Sequence, residues 1–307
     1  MTDRHRTVLK IMNVVAFAGV LVVNGLSNAL PLNGYTAGEL SDMYPNLFVP
    51  AGITFSIWGV IYLLLAGFCV YQFLGAQVLG ARPAAGAGAP TDRRGSSVAT
   101  GTGTPAPGST ARTGGNRLVE RVGWLFPLSC AGNIGWLFAW HYRLVGLSAL
   151  VMAALLVTLL AIYHRLGIAR HAESAAERLF GHIPFGVYTG WISVALIANV
   201  TALLVHLGWN GFGVPDAEWA LVLILIAAAL GSTVVILRRD IAYGAVFIWA
   251  FIGILVKRAQ EGVDSGAVPE AAIAGIAAVG LAVVLEIMRS RMQYPSRTAA
   301  AHGRTAT

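Results

Sequence analysis

Charge is what this 307-residue chain has least of. Asp, Glu, Lys and Arg make up 11% of it, against 56% apolar residues, where a soluble globular domain carries roughly 25% charged residues. Water is thereby excluded as the solvent for most of the surface. Cysteine is nearly absent too. Cys69 and Cys130 both fall inside apolar runs, so neither reads as half of an extracellular disulfide. Also missing are HExxH, a Cys/His cluster of metal-ligand spacing, a Gly-rich phosphate loop and any Ser-His-Asp arrangement that can be placed. The sequence therefore assigns no catalytic residue, no metal ligand and no required cofactor.

What the chain does have is apolar run length. A hydrocarbon core about 30 Å thick needs roughly 20 apolar residues per helical crossing. Eight runs fit: Val8 to Leu30, Pro50 to Phe73, Val122 to His141, Val145 to Tyr163, Ile183 to Val205, Trp219 to Leu237, Ile241 to Val256 and Ala271 to Met288. The expected fold is an all-α polytopic transmembrane bundle of about eight helices. Only Arg238, Arg239 and Asp240 separate the sixth run from the short seventh, which predicts a tight helical hairpin. The first run follows a basic start but exceeds a signal-peptide core, and no small-residue cleavage site precedes Pro31. It reads as a retained helix.

The formal net charge of +7 requires no nucleic-acid partner, because its placement explains it. Alternate loops and both ends hold all 21 Lys and Arg except Arg143, Lys257 and Arg258. This positive-inside asymmetry predicts a cell-membrane protein with both termini cytoplasmic. Residues 1–80 then hold helices one and two, 116–207 helices three to five, and 208–290 helices six to eight. Between them Ala81 to Gly115, written almost wholly in Gly, Ala, Pro, Ser, Thr and Arg, cannot bury enough apolar surface to offset its chain entropy. It is expected to be a disordered cytoplasmic loop, and residues 291–307 a disordered tail.

Polar residues inside the runs must find partners on other helices, on backbone or in a water-filled cavity. Asn13, Asn24 and Asn28 share one face of the first helix, within about 60° of one another, and read as interhelical hydrogen bonds. The second helix presents Phe55, Trp58 and Tyr62 on one face, the third Asn133, Trp136 and Trp140, and the fifth Tyr188, Trp191 and Asn199. Their depths let these stripes meet in the outer half of the bundle. Aromatic walls with a few amides describe a pocket for a flat, lipophilic ligand. They describe equally a packed core whose indoles bond to amides. Trp124, Trp140, Trp209 and Trp219 lie near run ends, where interfacial tryptophan is common.

In order and spacing, Pro50, Phe55, Trp58-x-x-x-Tyr62, then Asn133-x-x-Trp136 with Trp140, then Tyr188-x-x-Trp191 with Asn199 resemble the tryptophan-rich sensory protein or translocator protein family, TspO/MBR. Three departures stand out: a shortened Phe55 to Trp58 interval, Pro184 not adjacent to Tyr188, and Ser129 in place of a Gln. Helices one to five would be the family's five-helix module. Helices six to eight have no counterpart in its short members, so the chain looks like an enlarged branch. The resemblance implies a hydrophobic small-molecule ligand, a tetrapyrrole or sterol-like compound, under the loop from Pro31 to Asn46. It also implies a homodimer.

Two other functions are less well supported by the residues. An ion-coupled transporter needs ionisable groups in the membrane, and only Glu286 is a candidate, beside Arg289 and Arg291 and readable as an interfacial ion pair. A membrane enzyme acting on porphyrin needs an acid and a base. His141 and His164 flank the fourth helix as interfacial residues and supply no such pair.

Overall fold

The computed structural model describes residues 1–30, 32–74, 114–169, 174–262 and 265–293. Helices account for the described chain: α1 (Asp3–Ala29), α2 (Ala37–Asp42), α3 (Ile57–Tyr71), α4 (Gly114–Val122), α5 (Leu125–His141), α6 (Val145–Leu166), α7 (Ala175–Glu177), α8 (Ile183–His206), α9 (Asp216–Arg238), α10 (Ile241–Glu261) and α11 (Val268–Gln293). A 3-10 turn, Gly52–Ser56, leads into α3, and a π-helical turn, Arg178–His182, joins α7 to α8. Seven of these segments are long and apolar enough to cross a membrane, and the pair α4–α5, bent by 60°, makes an eighth when counted as one span. The all-α polytopic bundle expected from run length is thus observed.

Polar and charged residues define where these helices stop and bend. Thr2 caps α1 by accepting from the His5 N–H, and Asp240 caps α10 by accepting from the Tyr243 N–H at 3.0 Å, each relieving an orphan donor of a first turn. The α9–α10 connection is the tight hairpin expected, with Arg239 in the left-handed region at φ 61. The bend between α4 and α5 falls at Gly123, φ +56, a conformation that glycine adopts without strain.

Several boundaries differ from the sequence reading. The seventh helix is not short. It runs through Lys257 and Arg258 to Glu261, because Lys257 pairs with Asp42 and Glu261 and Arg258 pairs with Glu261, so charge ends the apolar run without ending the helix. Arg291, Met292 and Gln293 continue α11 rather than starting a tail. Glu286 sits two turns before the helix end and pairs with Arg239 at 3.6 Å, not with Arg289 or Arg291. Most of the stretch from Ala81 to Gly115, and the tail after Gln293, lie outside the described residues. Gly114 and Gly115 do not: they open α4. A Cβ on Gly115 would lie 2.6 Å from the Tyr71 carbonyl oxygen and 2.9 Å from the Gln72 Cα, so this close crossing needs glycine.

Two apolar cores organise the bundle. The first joins α1, α3, α5, α6 and α8 through Phe17, Ile61, Phe68, Phe126, Leu155 and Phe185, with the Phe68 ring 5.0 Å from Phe126 and 5.2 Å from Phe185. The second joins α9, α10 and α11 through Ile224, Phe247, Phe251, Ala272 and Val279, and takes in Val194 of α8 and Phe48 of the first long loop. Leu63, Leu150 and Val157 stand exposed on the outside, as lipid-facing residues do. Lipid tails are as apolar as these side chains, so close packing and interhelical hydrogen bonds hold such helices together. Asn13 supplies one, donating to the Gln72 Oε1 at 3.0 Å. Asn24 supplies another, donating to the Asn133 Oδ1 at 2.9 Å. Asn28 instead donates back to the Asn24 carbonyl of its own helix at 2.8 Å.

Candidate functional site

The three aromatic stripes meet, and Trp58 is where they meet. Its ring stacks on Tyr62 at 5.6 Å and on Trp136 at 5.9 Å, and takes Tyr188 and Trp191 edge-on at 5.9 and 6.2 Å. Phe55 meets Trp191 edge-on at 5.9 Å, and Trp136 stacks on Trp140 at 6.4 Å. Spacings of three and four residues place each set on one helix face. The crossings of α3, α5 and α8 bring the faces together.

The amides divide. Asn133 is buried, accepts from Asn24 and leaves its Nδ2 with no acceptor. Asn199 lies farther out along α8 and accepts from the Ser148 hydroxyl at 3.1 Å. The Trp136 and Trp191 indole N–H groups and the Tyr62 hydroxyl are likewise buried without a partner. Leaving a buried polar group unpaired costs about 1–3 kcal/mol. Four such groups around one tryptophan mark this region apart from a satisfied core.

Space lies on both sides of Trp58, unequally. Inside, between Phe55, Trp58, Trp136, Trp140, Trp191 and Asn199, the cavity is only about 40 Å³, close to the share of one water molecule. Outside, between α1 and the start of α3, a groove of about 770 Å³ is floored by Phe55, Trp58, Tyr62 and Trp136. That volume is in the range of small-molecule sites, roughly 300–1,000 Å³. Tyr188 touches Trp58 but lines neither space. The groove's other wall carries Asn24, Ser27 and Asn28. The asparagine face expected to make interhelical hydrogen bonds thus also borders the groove; periodicity shows which residues share a face, not that the neighbouring helix stands away from it.

The loop from 32 to 49 closes the end of the bundle where α1 finishes and α3 begins. Its helix α2 starts with a capping box, the Thr36 hydroxyl accepting from the Glu39 N–H while the Glu39 carboxylate accepts from the Thr36 N–H at 2.7 Å, a Thr-x-x-Glu signature legible in the sequence. Trp140 donates its indole N–H to the Ala37 carbonyl at 3.2 Å. It is a buried anchor for this lid, not the interfacial tryptophan that its position near a run end suggested. Tyr44 packs its ring on Trp140 at 5.8 Å and on His206 at 5.9 Å. By contrast Trp124 is half exposed, with His5 against its edge, and Trp209 and Trp219 pack on each other at 5.1 Å away from the cluster.

Helix α10 holds the other side of the same region. Trp249 donates to the Thr54 carbonyl at 2.9 Å, the Ala51 N–H donates to the Gly253 carbonyl at 2.9 Å, and Lys257 pairs with Asp42 at the end of α2. Helix α10 therefore grips the segment that delivers Phe55 and Trp58, together with the loop above them.

No curated protein and no solved structure matches the chain. The sequence model of a family described as TSPO-like protein matches residues 10–85 and 106–287. That match takes in every aromatic stripe and continues through α9, α10 and most of α11, so the three C-terminal helices lie within what the family model covers. On this match over most of its length, the chain belongs to the TSPO-like protein family.

Proposed function

We propose that the protein is a membrane-embedded receptor or carrier for a planar hydrophobic ligand, tetrapyrrole or sterol-like in class, with both termini cytoplasmic and the α2 lid on the outer side. One observation carries the reading. A groove of about 770 Å³ is floored by stacked aromatic rings, and behind that floor stand buried donors that no protein acceptor satisfies: the Asn133 Nδ2, the Tyr62 hydroxyl and the Trp136 and Trp191 indole N–H groups. A flat ligand in the groove that offers a ring nitrogen or carbonyl to the Tyr62 hydroxyl or the Trp136 indole N–H, both on residues that line it, would recover unmade hydrogen bonds. Leu21 and Ile53, which help line the groove, are exposed apolar side chains, which suits a ligand arriving through the bilayer.

Titration of the detergent-purified protein with the neutral dimethyl ester of protoporphyrin IX, followed by tryptophan quenching, tests this. Saturable quenching in the micromolar range or below is expected. Trp58→Phe, Trp136→Phe and Asn133→Ala should each weaken it about tenfold, the equivalent of 1.4 kcal/mol, while Trp219→Phe should not. Quenching that is unsaturable, or that shifts equally in all four variants, sinks the reading.

A further inference from the structure

The groove's charges narrow its ligand further, on the assumption that it is the binding site proposed above. Of the residues that line it, only Glu39 and Asp42 are charged, and no Lys or Arg is among them. Asp42 is compensated by Lys257. Glu39 is not: it takes part in no ion pair among the described residues. Its Oε2 accepts from the Thr36 N–H at 2.7 Å and from the Thr36 hydroxyl at 2.9 Å. Both bonds go to the same oxygen, so Oε1 remains available at the mouth of the groove. The Thr36 hydrogen bonds also hold this carboxyl below the usual carboxylate range, which keeps it ionised at neutral pH.

Trp58, Tyr62 and Trp136 line the same groove, and aromatic rings attract cations to their electron-rich faces and repel anions from them. Asn24 and Asn28 stand opposite and are neutral. A carboxylate, aromatic rings and no basic side chain on the walls form one electrostatic pattern. We infer that the groove selects planar hydrophobic cations, the ring seated on Trp58 and the positive charge held beside Glu39, over anionic rings of the same shape. A tetrapyrrole bearing free carboxylates would have to set them against this carboxylate and these rings.

One ring carried in two charge states provides the test: protoporphyrin IX as its free acid, and as a bis-amide bearing quaternary ammonium groups. Both are titrated against the wild-type protein and Glu39→Gln by tryptophan quenching. Glutamine at this position can still close the capping box, so α2 retains its start. The expected result is crossed. The variant binds the cationic ring about fivefold more weakly and the anionic ring about fivefold more tightly, the size of one charge pair near 4 Å in a water-like medium. A damaged site would weaken both rings, and membrane or detergent partition is the same for both proteins, so neither mimics crossed shifts. Shifts of the same sign, or none, overturn the charge inference while binding of the neutral ester leaves the site standing. Failure of all three rings to bind overturns both.

Discussion

Trp249 of α10 and Thr54, 195 residues apart, are joined by an indole N–H to carbonyl hydrogen bond of 2.9 Å. The bond fixes the turn that carries Phe55 and leads into Trp58, so helix α10 reaches the proposed ligand groove through backbone rather than by lining it. Trp249→Phe keeps the ring and removes the donor. The expected loss is about 1 kcal/mol of stability, together with a weaker affinity for the ring ester, read by thermal unfolding and by quenching on the same preparation. Loss of stability with unchanged affinity would show that α10 supports the fold without positioning the site.

Gly253 stands one turn farther along the same helix face. A Cβ there would lie 2.9 Å from the Pro50 Cβ and 2.9 Å from the Thr54 methyl group. Gly253→Ala should force α10 away from this turn at a cost of about 1–3 kcal/mol. Gly280 of α11 is the contrast, since an added Cβ meets nothing within 4 Å, and Gly280→Ala should be neutral or stabilise by up to about 1 kcal/mol. Unfolding midpoints of the two variants should move in opposite directions or differ by several degrees; equal midpoints would contradict the packing described.

These contacts also show what the sequence could and could not reveal. Apolar run length gave the spans, and the spacing of Trp58 and Tyr62, of Asn133 and Trp136, and of Tyr188 and Trp191 identified the faces that meet. Charge misled at Lys257 and Arg258, which close the seventh apolar run yet sit inside its helix: Arg258 pairs with Glu261 one turn on, and the Asp42 partner of Lys257 is 215 residues away. Thr36 and Glu39 carry a capping-box signature, but the six-residue helix that it starts has no apolar run to announce it. The groove itself was not legible. Asn24 and Asn28 lie on the face expected, but whether a neighbour packs against that face or stands off from it depends on helix crossings that no periodicity encodes.

Asn24 and Asn133 form the polar bond that ties α1 to the aromatic cluster. Asn24→Ala removes it and leaves a second buried group of Asn133 unpaired. Interhelical bonds of this kind in membranes contribute about 0.6 kcal/mol on average and up to about 1.7 kcal/mol, and a value above the average is expected where both partners are buried. A double-mutant cycle of Asn24→Ala with Asn133→Ala should return a positive coupling of about 1 kcal/mol. Asn28→Ala, whose amide bonds only within α1, should show no coupling to Asn133. A null result for the first pair would mean that α1 is held by shape alone.

Asp240 makes stability depend on pH. Burial raises its carboxyl above the usual range, against the opposing pull of hydrogen bonds from the Tyr243 N–H, the Tyr163 hydroxyl and the Ala242 N–H, the hydroxyl lying 2.8 Å from Oδ2. An acid whose folded pKa exceeds its unfolded value, about 3.9, holds more protons in the native state between the two. The slope of unfolding free energy with pH is then negative. The contribution is fully present below about pH 3.9, is lost as pH rises through the folded value and is flat above it. Asp240→Asn retains an acceptor for the Tyr243 N–H and has no proton to lose. Relative to wild type, the variant should therefore gain stability as pH rises through this window, with a constant difference above it. Thermal midpoints of both proteins across the acidic to neutral range measure that difference directly. A difference that falls as pH rises would mean that the hydrogen bonds to this carboxylate outweigh its burial.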